Sequence, residues 1–154
     1  REPVALPALA QEVVADVLSR QPARPDARPE IVLRADPDLP TLPLDPARIR
    51  LLLRNLLDNA LRHSADAPQP PELHLSAEGL GMQIEVRDHG PGVPEDQIPH
   101  LAEPFFRPDT ARTRAQGGVG LGLYLCKLVA QAHGGTLAVR NAQPGLAVTV
   151  TLPG

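Results

Sequence analysis

Nineteen of the 154 residues are proline, and most of them gather at 22–46, 68–71 and 91–108. Proline removes a backbone donor and fixes φ, so these clusters mark loops. Regular structure is thereby pushed into the blocks between them. Those blocks carry apolar residues at helical or alternating spacing, which argues against a disordered chain. Aromatic residues are limited to Phe105, Phe106 and Tyr124, so alanine, valine and leucine must fill the core.

Length and charge narrow the class further. A chain of this size is about one domain and can bury roughly 70% of its unfolded surface. The net charge of −3 lacks the basic excess of a dedicated nucleic-acid binder. Cys126 stands alone, so no internal disulfide can form. No apolar run reaches 18 residues; the longest candidate, 119–132, is interrupted by Lys127 and Gln131. Arg1-Glu2-Pro3 does not open a signal peptide, and without an initial Met the chain reads as a piece of something longer.

Residues 6–19 have apolar positions at 6, 9, 10, 13, 14, 17 and 18, the spacing of an amphipathic helix. Short strands are predicted at 30–35 and 41–44. Asp45-Pro46 then supplies an N-cap and a first-turn proline for a helix running to about His63. Residues 73–78 and 82–88 alternate like half-buried strands. After a long glycine- and proline-rich segment, a helix resumes near Val119 and ends at His133-Gly134-Gly135. Glycine there suits a left-handed C-cap, and a partly charged His133 would favour the helix dipole. Strands at 136–140 and 146–152 close the chain around the turn NAQPG. This order gives an α/β sandwich: one mostly antiparallel sheet with helices on one face.

Three segments carry candidate chemistry. On the helix 46–63, Asn55, Asn59 and Arg62 lie within about 60° of one another, opposite Ile49, Leu53, Leu56, Leu57 and Ala60. Amide oxygens can ligate Mg²⁺ and a guanidinium can bind phosphate; a solvated polar face is the plainer alternative. On the strand 82–88, Asp88 ends an otherwise apolar face just before Gly90 and Gly92. Such a carboxylate can accept from an exocyclic amine, while an Asx-type turn explains it equally. Finally, Gly118, Gly120 and Gly122 alternate at a helix start, where freed N–H groups favour an anion, or form a simple hinge. The G-x-G-x-G spacing is neither a P-loop nor a dinucleotide fingerprint. Cys126, by contrast, reads as a core thiol.

Taken together and in order, LLRNLLDNALRHS, DHGPGVP, EPFFRPD and GGVGLGL, closed by HGGTLAV, resemble the N, first glycine, F and second glycine boxes of sensor histidine kinases. The resemblance is to their Bergerat-fold ATP-binding domain, within the gyrase–Hsp90–histidine kinase–MutL superfamily, and it spans nearly the whole chain. It implies a two-layer α/β sandwich: a mixed, mostly antiparallel five-stranded sheet with three main helices on one face. It also implies that residues 1–154 form one domain that binds ATP and Mg²⁺.

The implied roles follow the boxes. Asn55 and Asn59 hold the metal, Arg62 contacts phosphate and His63 lines the nucleotide. Asp88 takes the adenine amino group, and Gly90 and Gly92 shape the adenine pocket. Phe105 and Phe106 match the F box, and Arg107 is the arginine that reaches the γ-phosphate. Gly118, Gly120, Leu121 and Gly122 close over the phosphates. Asn55 and Arg107 are the residues closest to the chemistry.

The sequence also departs from an intact kinase. No His-Asp/Glu phosphoacceptor pattern occurs, and none of the five histidines sits in one. The resemblance therefore implies an acceptor histidine on separate dimerisation helices of the parent, and a response regulator downstream. It implies a cytoplasmic location, within a parent in the bacterial inner membrane. Two rivals stand beside this reading: a superfamily ATPase or anti-sigma-type serine kinase, and a nucleotide-binding module without catalysis. Position 55 separates the kinase from the first rival. Those relatives carry glutamate there as general base, whereas Asn55 cannot take a proton and the nearby Asp58 points elsewhere.

Overall fold

The computed structural model describes residues 1–22, 29–106 and 122–154. Seven strands and three α-helices occur among them. In chain order these are β1 (Glu2–Val4), α1 (Leu6–Ser19), β2 (Val32–Ala35), β3 (Leu42–Leu44), α2 (Pro46–His63), β4 (Glu72–Glu78), β5 (Gly81–Arg87), α3 (Gly122–Ala132), β6 (Thr136–Asn141) and β7 (Leu146–Leu152). A 3₁₀ helix, Glu95–His100, follows β5.

Five strands form the main sheet in the order β2-β4-β5-β7-β6. Only β2 and β4 run parallel, with Val32 opposite Glu72; every other pairing is antiparallel. The mixed five-stranded sheet expected from the sequence is therefore present. The strand at 41–44 is real but lies outside it. It pairs with β1, a strand the sequence reading did not contain, in a two-stranded ribbon. Pro3 faces Pro43 at the ribbon's centre. Neither can donate a hydrogen bond, so the two fit only a non-hydrogen-bonded pair.

The two layers meet along alternating strand residues. Leu73 and Leu75 on β4, Met82, Ile84 and Val86 on β5, and Leu146, Val148, Val150 and Leu152 on β7 are all buried. From the helical side come Ile49, Leu52, Leu53, Leu56, Leu57 and Ala60 of α2. Leu52 widens the apolar stripe beyond the sequence expectation because α3 covers that flank, where the Cys126 thiol meets the Leu52 carbonyl. Burial pushes that thiol's pKa up to about 12, as suits a core residue.

The start of α2 and the end of α3 are closed by local chemistry. Asp45 caps α2, its carboxylate accepting from the Arg48 N–H at 3.2 Å, with Pro46 following. At the end of α3, the Gly135 N–H reaches the Ala130 carbonyl and the Gly134 N–H the Gln131 carbonyl. With Gly134 at φ +75°, this is a Schellman motif, as the double glycine predicts. His133 closes the helix end, as its position before two glycines predicts, but not as a charged ring. Its ring is buried, Nδ1–H donates to the Val129 carbonyl at 2.9 Å, and Nε2 accepts from the Asp45 N–H at 3.0 Å. An accepting Nε2 carries no proton, so the ring is neutral. It ties the end of α3 to the start of α2 rather than serving the dipole.

Candidate functional site

The helix α2 and the end of β5 meet at one corner of the sandwich. Between them opens a cleft of about 320 Å³ lined by Arg62, His63, Asp66, His89, Gly90 and Gly92, among others. Its two walls have different origins. One is the last turn of α2 with the loop after it; the other is the turn that leaves β5.

Further back along α2, outside the cleft lining, Asn55 and Asn59 are partly buried one turn apart. The Asn55 Nδ2 atom is buried and has no hydrogen-bond partner among the described residues. An amide can be turned about its last bond, so this site presents either a donor or an oxygen with nothing to satisfy it. Asn59 Oδ1 accepts only a long bond of 3.4 Å from Arg62 Nη2. Two under-used amide groups on one helix face fit a hard cation, which takes oxygen ligands. Burial raises the Asp58 pKa, while Arg62, Arg54 and Arg20 pull it down and Asp16 of α1 adds a raising contribution. Its charged neighbours thus come from both helices, with Arg62 of the cleft lining first among them.

At the end of β5, Asp88 is only 3% exposed. Its Oδ1 accepts from the Gly90 N–H at 3.0 Å and the Leu146 N–H at 3.1 Å. Its Oδ2 faces the His63 Nδ1 at 3.7 Å, too far for a good hydrogen bond. One carboxylate oxygen is thus fixed by backbone, and the other retains accepting capacity toward α2.

The glycines owe their identity first to packing within the chain. A Cβ on Gly90 would stand 2.0 Å from the His63 carbonyl oxygen, so this glycine lets the two walls touch. Gly92 has φ +73°, and a Cβ there would meet Asn141 Oδ1 at 2.6 Å. Sequence reasoning assigned them to ligand approach and did not see these contacts.

Of the expected residues, Arg62, His63, Gly90 and Gly92 line this cleft, while Asn55, Asn59, Asp88, Phe105, Phe106 and Gly122 do not, and the rest lie outside the described residues. Phe106 packs at the core's edge with its ring 5.6 Å from that of His100. Phe105 is 71% exposed at φ +65°. Gly122 begins α3 with open space where a Cβ would go. Arg107, Gly118, Gly120 and Leu121 lie outside the described residues.

The structure also brings in residues that the sequence did not flag. The β6–β7 turn wraps the exit of β5: Arg87 Nη2 donates to the Ala142 and Pro144 carbonyls at 3.3 and 3.2 Å. A Cβ on Gly145 would stand 1.9 Å from the Asp88 carbonyl oxygen. His89 is buried between the Pro70 carbonyl, 3.2 Å from Nδ1, and Glu72, 3.3 Å from Nε2. It stitches the loop before β4 to the turn after β5. These partners lie 17 to 57 residues away, and no spacing rule reaches across such separations.

A mixed sheet under helices, with two amides on one face of α2 and a buried carboxylate at the end of β5 beside His63, is the arrangement of a class of ATP-binding domain. Residues 44–154 match the histidine kinase-, DNA gyrase B- and HSP90-like ATPases, and the chain belongs to that family. Sensor histidine kinase YkoH of Bacillus subtilis (strain 168) is 41% identical over 123 residues, covering 80% of this chain and 26% of its own length. The mycobacterial sensor histidine kinase MprB superposes with a TM-score of 0.83 at 30% identity, covering 99% of this chain and 98% of that one. Full-length ShkA in complex with AMPPNP gives a TM-score of 0.81 at 27% identity, covering 98% of this chain and 30% of that one. The chain spans about a quarter of the length of a curated relative such as YkoH. Among the described residues, no helix is long and apolar enough to cross a membrane.

Proposed function

We propose that this chain is the ATP-binding catalytic domain of a two-component sensor histidine kinase, passing the γ-phosphoryl group of ATP to a histidine on separate dimerisation helices. A response regulator then takes the phosphoryl group. The domain works in the cytoplasm, where ATP is available, as part of a membrane-anchored parent. The observation that carries the reading is the division of labour at Asp88. Backbone N–H groups occupy Oδ1, while Oδ2 keeps room for a donor beside His63.

Each residue then has a task that follows from its chemistry. Asp88 Oδ2 accepts from the adenine amino group, and the His63 ring gives way and lies along the base. Gly90 and Gly92 leave the turn thin enough for the base to lie against it. Asn55 and Asn59 offer amide oxygens to Mg²⁺, which when bound neutralises charge on the phosphates. Arg62 steadies a phosphate oxygen. Arg107 reaches the γ-phosphate, and Gly118, Gly120, Leu121 and Gly122 cradle the phosphates with backbone N–H groups, while Phe105 and Phe106 border that segment.

Phosphoryl transfer asks chiefly for positioning and charge stabilisation, and an imidazole needs no general base to attack. This suits Asn55, which cannot activate water.

The test is transfer to a supplied acceptor. The isolated domain should bind ATP, hydrolyse it negligibly and leave itself unphosphorylated. Adding a dimeric helix pair bearing the acceptor histidine should yield an acid-labile phosphoramidate, lost in Asn59→Ala. Robust hydrolysis by the domain alone, or acid-stable phosphate on a serine of a partner, overturns the reading.

A further inference from the structure

The geometry points to Asn141, at the end of β6, as a positioning residue for the nucleotide cleft. This inference rests on the cleft being the nucleotide site, and it adds a residue that does not line the cleft but packs behind its wall at Gly92.

The cleft wall made by Gly90, Pro91 and Gly92 is a short span of backbone between Asp88 and Val93. Both ends of that span are held by the two ends of one hairpin turn. At the first end, the Leu146 N–H donates to Asp88 Oδ1 at 3.1 Å and the Asp88 N–H to the Leu146 carbonyl at 2.9 Å. At the second, the Asn141 side chain exchanges two hydrogen bonds with Val93. Its Nδ2 donates to the Val93 carbonyl at 2.7 Å, and its Oδ1 accepts from the Val93 N–H at 3.1 Å. The same Nδ2 donates to Glu95 Oε1 at 2.9 Å, which fixes the start of the 3₁₀ helix.

A side-chain amide is suited to this because it returns one donor and one acceptor to a residue, as a neighbouring strand would. Asn141 thus extends sheet-like pairing one step beyond β6 onto a backbone segment that has no strand beside it. Gly92 lies directly over Asn141 Oδ1, with room for hydrogen only. Any shift of the amide therefore moves the wall at Gly92, and with it the floor against which the base would lie. Asp88 sits at the other end of the same span, so the shift also changes the spacing between Oδ2 and the base.

Asn141→Asp is the discriminating variant. It keeps the shape and one acceptor, loses both donations, and sets a carboxylate against the Val93 carbonyl and Glu95. Kd for ATP should rise about tenfold, which corresponds to losing roughly 1.4 kcal/mol. Preference for ATP over GTP should shrink, while kcat at saturating ATP with a supplied acceptor stays near that of the parent domain. Adding Glu95→Gln to Asn141→Asp should recover most of the affinity, because the second carboxylate is gone. Should Asn141→Asp not fold, Glu95→Ala alone removes one of the three bonds and should still weaken ATP, by about twofold to threefold. Hydrogen exchange at the Val93 amide, measured without nucleotide, should quicken in Asn141→Asp. Parental affinity and ATP preference in the folded Asn141→Asp domain, or parental exchange at Val93, overturn the inference. Failure of the parent domain to bind ATP would instead defeat the nucleotide reading, while the exchange arm still reports on the clamp.

Discussion

The two walls of the cleft are built by different means. The α2 wall is local: a cap at Asp45, a first-turn proline and a 3.6-residue apolar stripe hold Asn55, Asn59 and Arg62 on one continuous helix. The opposite wall is assembled at a distance. Asp88 depends on Leu146 and Gly145, Val93 on Asn141, and His89 on Pro70 and Glu72. A helix carries its own geometry, but a turn at a strand end is only as well placed as its neighbours. The α2 half of the site is thus expected to tolerate damage elsewhere better than the half at the end of β5.

That contrast can be broken deliberately. Leu57→Ala empties a fully buried position of α2 and should cost about 2–5 kcal/mol. It should lower the melting temperature, yet the folded fraction should bind ATP with near-parental affinity because the stripe faces away from the amides. Gly145→Ala should cost less, about 1–3 kcal/mol, for a strained φ of +89° and a Cβ pressed on the Asp88 carbonyl. It should nevertheless damage ATP affinity more than Leu57→Ala does. Thermal melts paired with titrations check both; an inverted order of affinity losses would dissolve the distinction.

A smaller effect concerns the back of α2. Burial raises the Asp58 pKa above that of the unfolded chain, so its charged form opposes folding. The parent is then relatively favoured below the unfolded pKa, and that advantage is lost as pH rises through the folded value. Asp58→Asn should therefore stabilise slightly at neutral pH, with the difference vanishing in acid. Denaturant melts across pH measure this.

The same division explains what was legible in the sequence. The bounds of α1 and α2 follow from periodicity and capping, and the strand-end Asp88 from alternation. The four boxes then carried the fold. The ribbon strand β1 was hidden because Pro3 argues against a strand and only Pro43 opposite makes it tolerable. Neutral His133 was misread because its partner, the Asp45 N–H, is 88 residues away. Asn141 looked like an ordinary turn residue for the same reason: a side-chain amide pairing with distant backbone leaves no periodic trace.

The central claim is that Asp88, held by backbone on one oxygen, reads a donor with the other. Competition between ATP and GTP for the folded domain tests it most directly, because guanine presents a carbonyl where adenine presents N–H. The account predicts at least about tenfold preference for ATP, the scale of one charge-assisted hydrogen bond. That preference should vanish in Asp88→Asn while the melting temperature barely moves. Equal affinity for ATP and GTP in the parent domain, or a preference that survives Asp88→Asn, would contradict it.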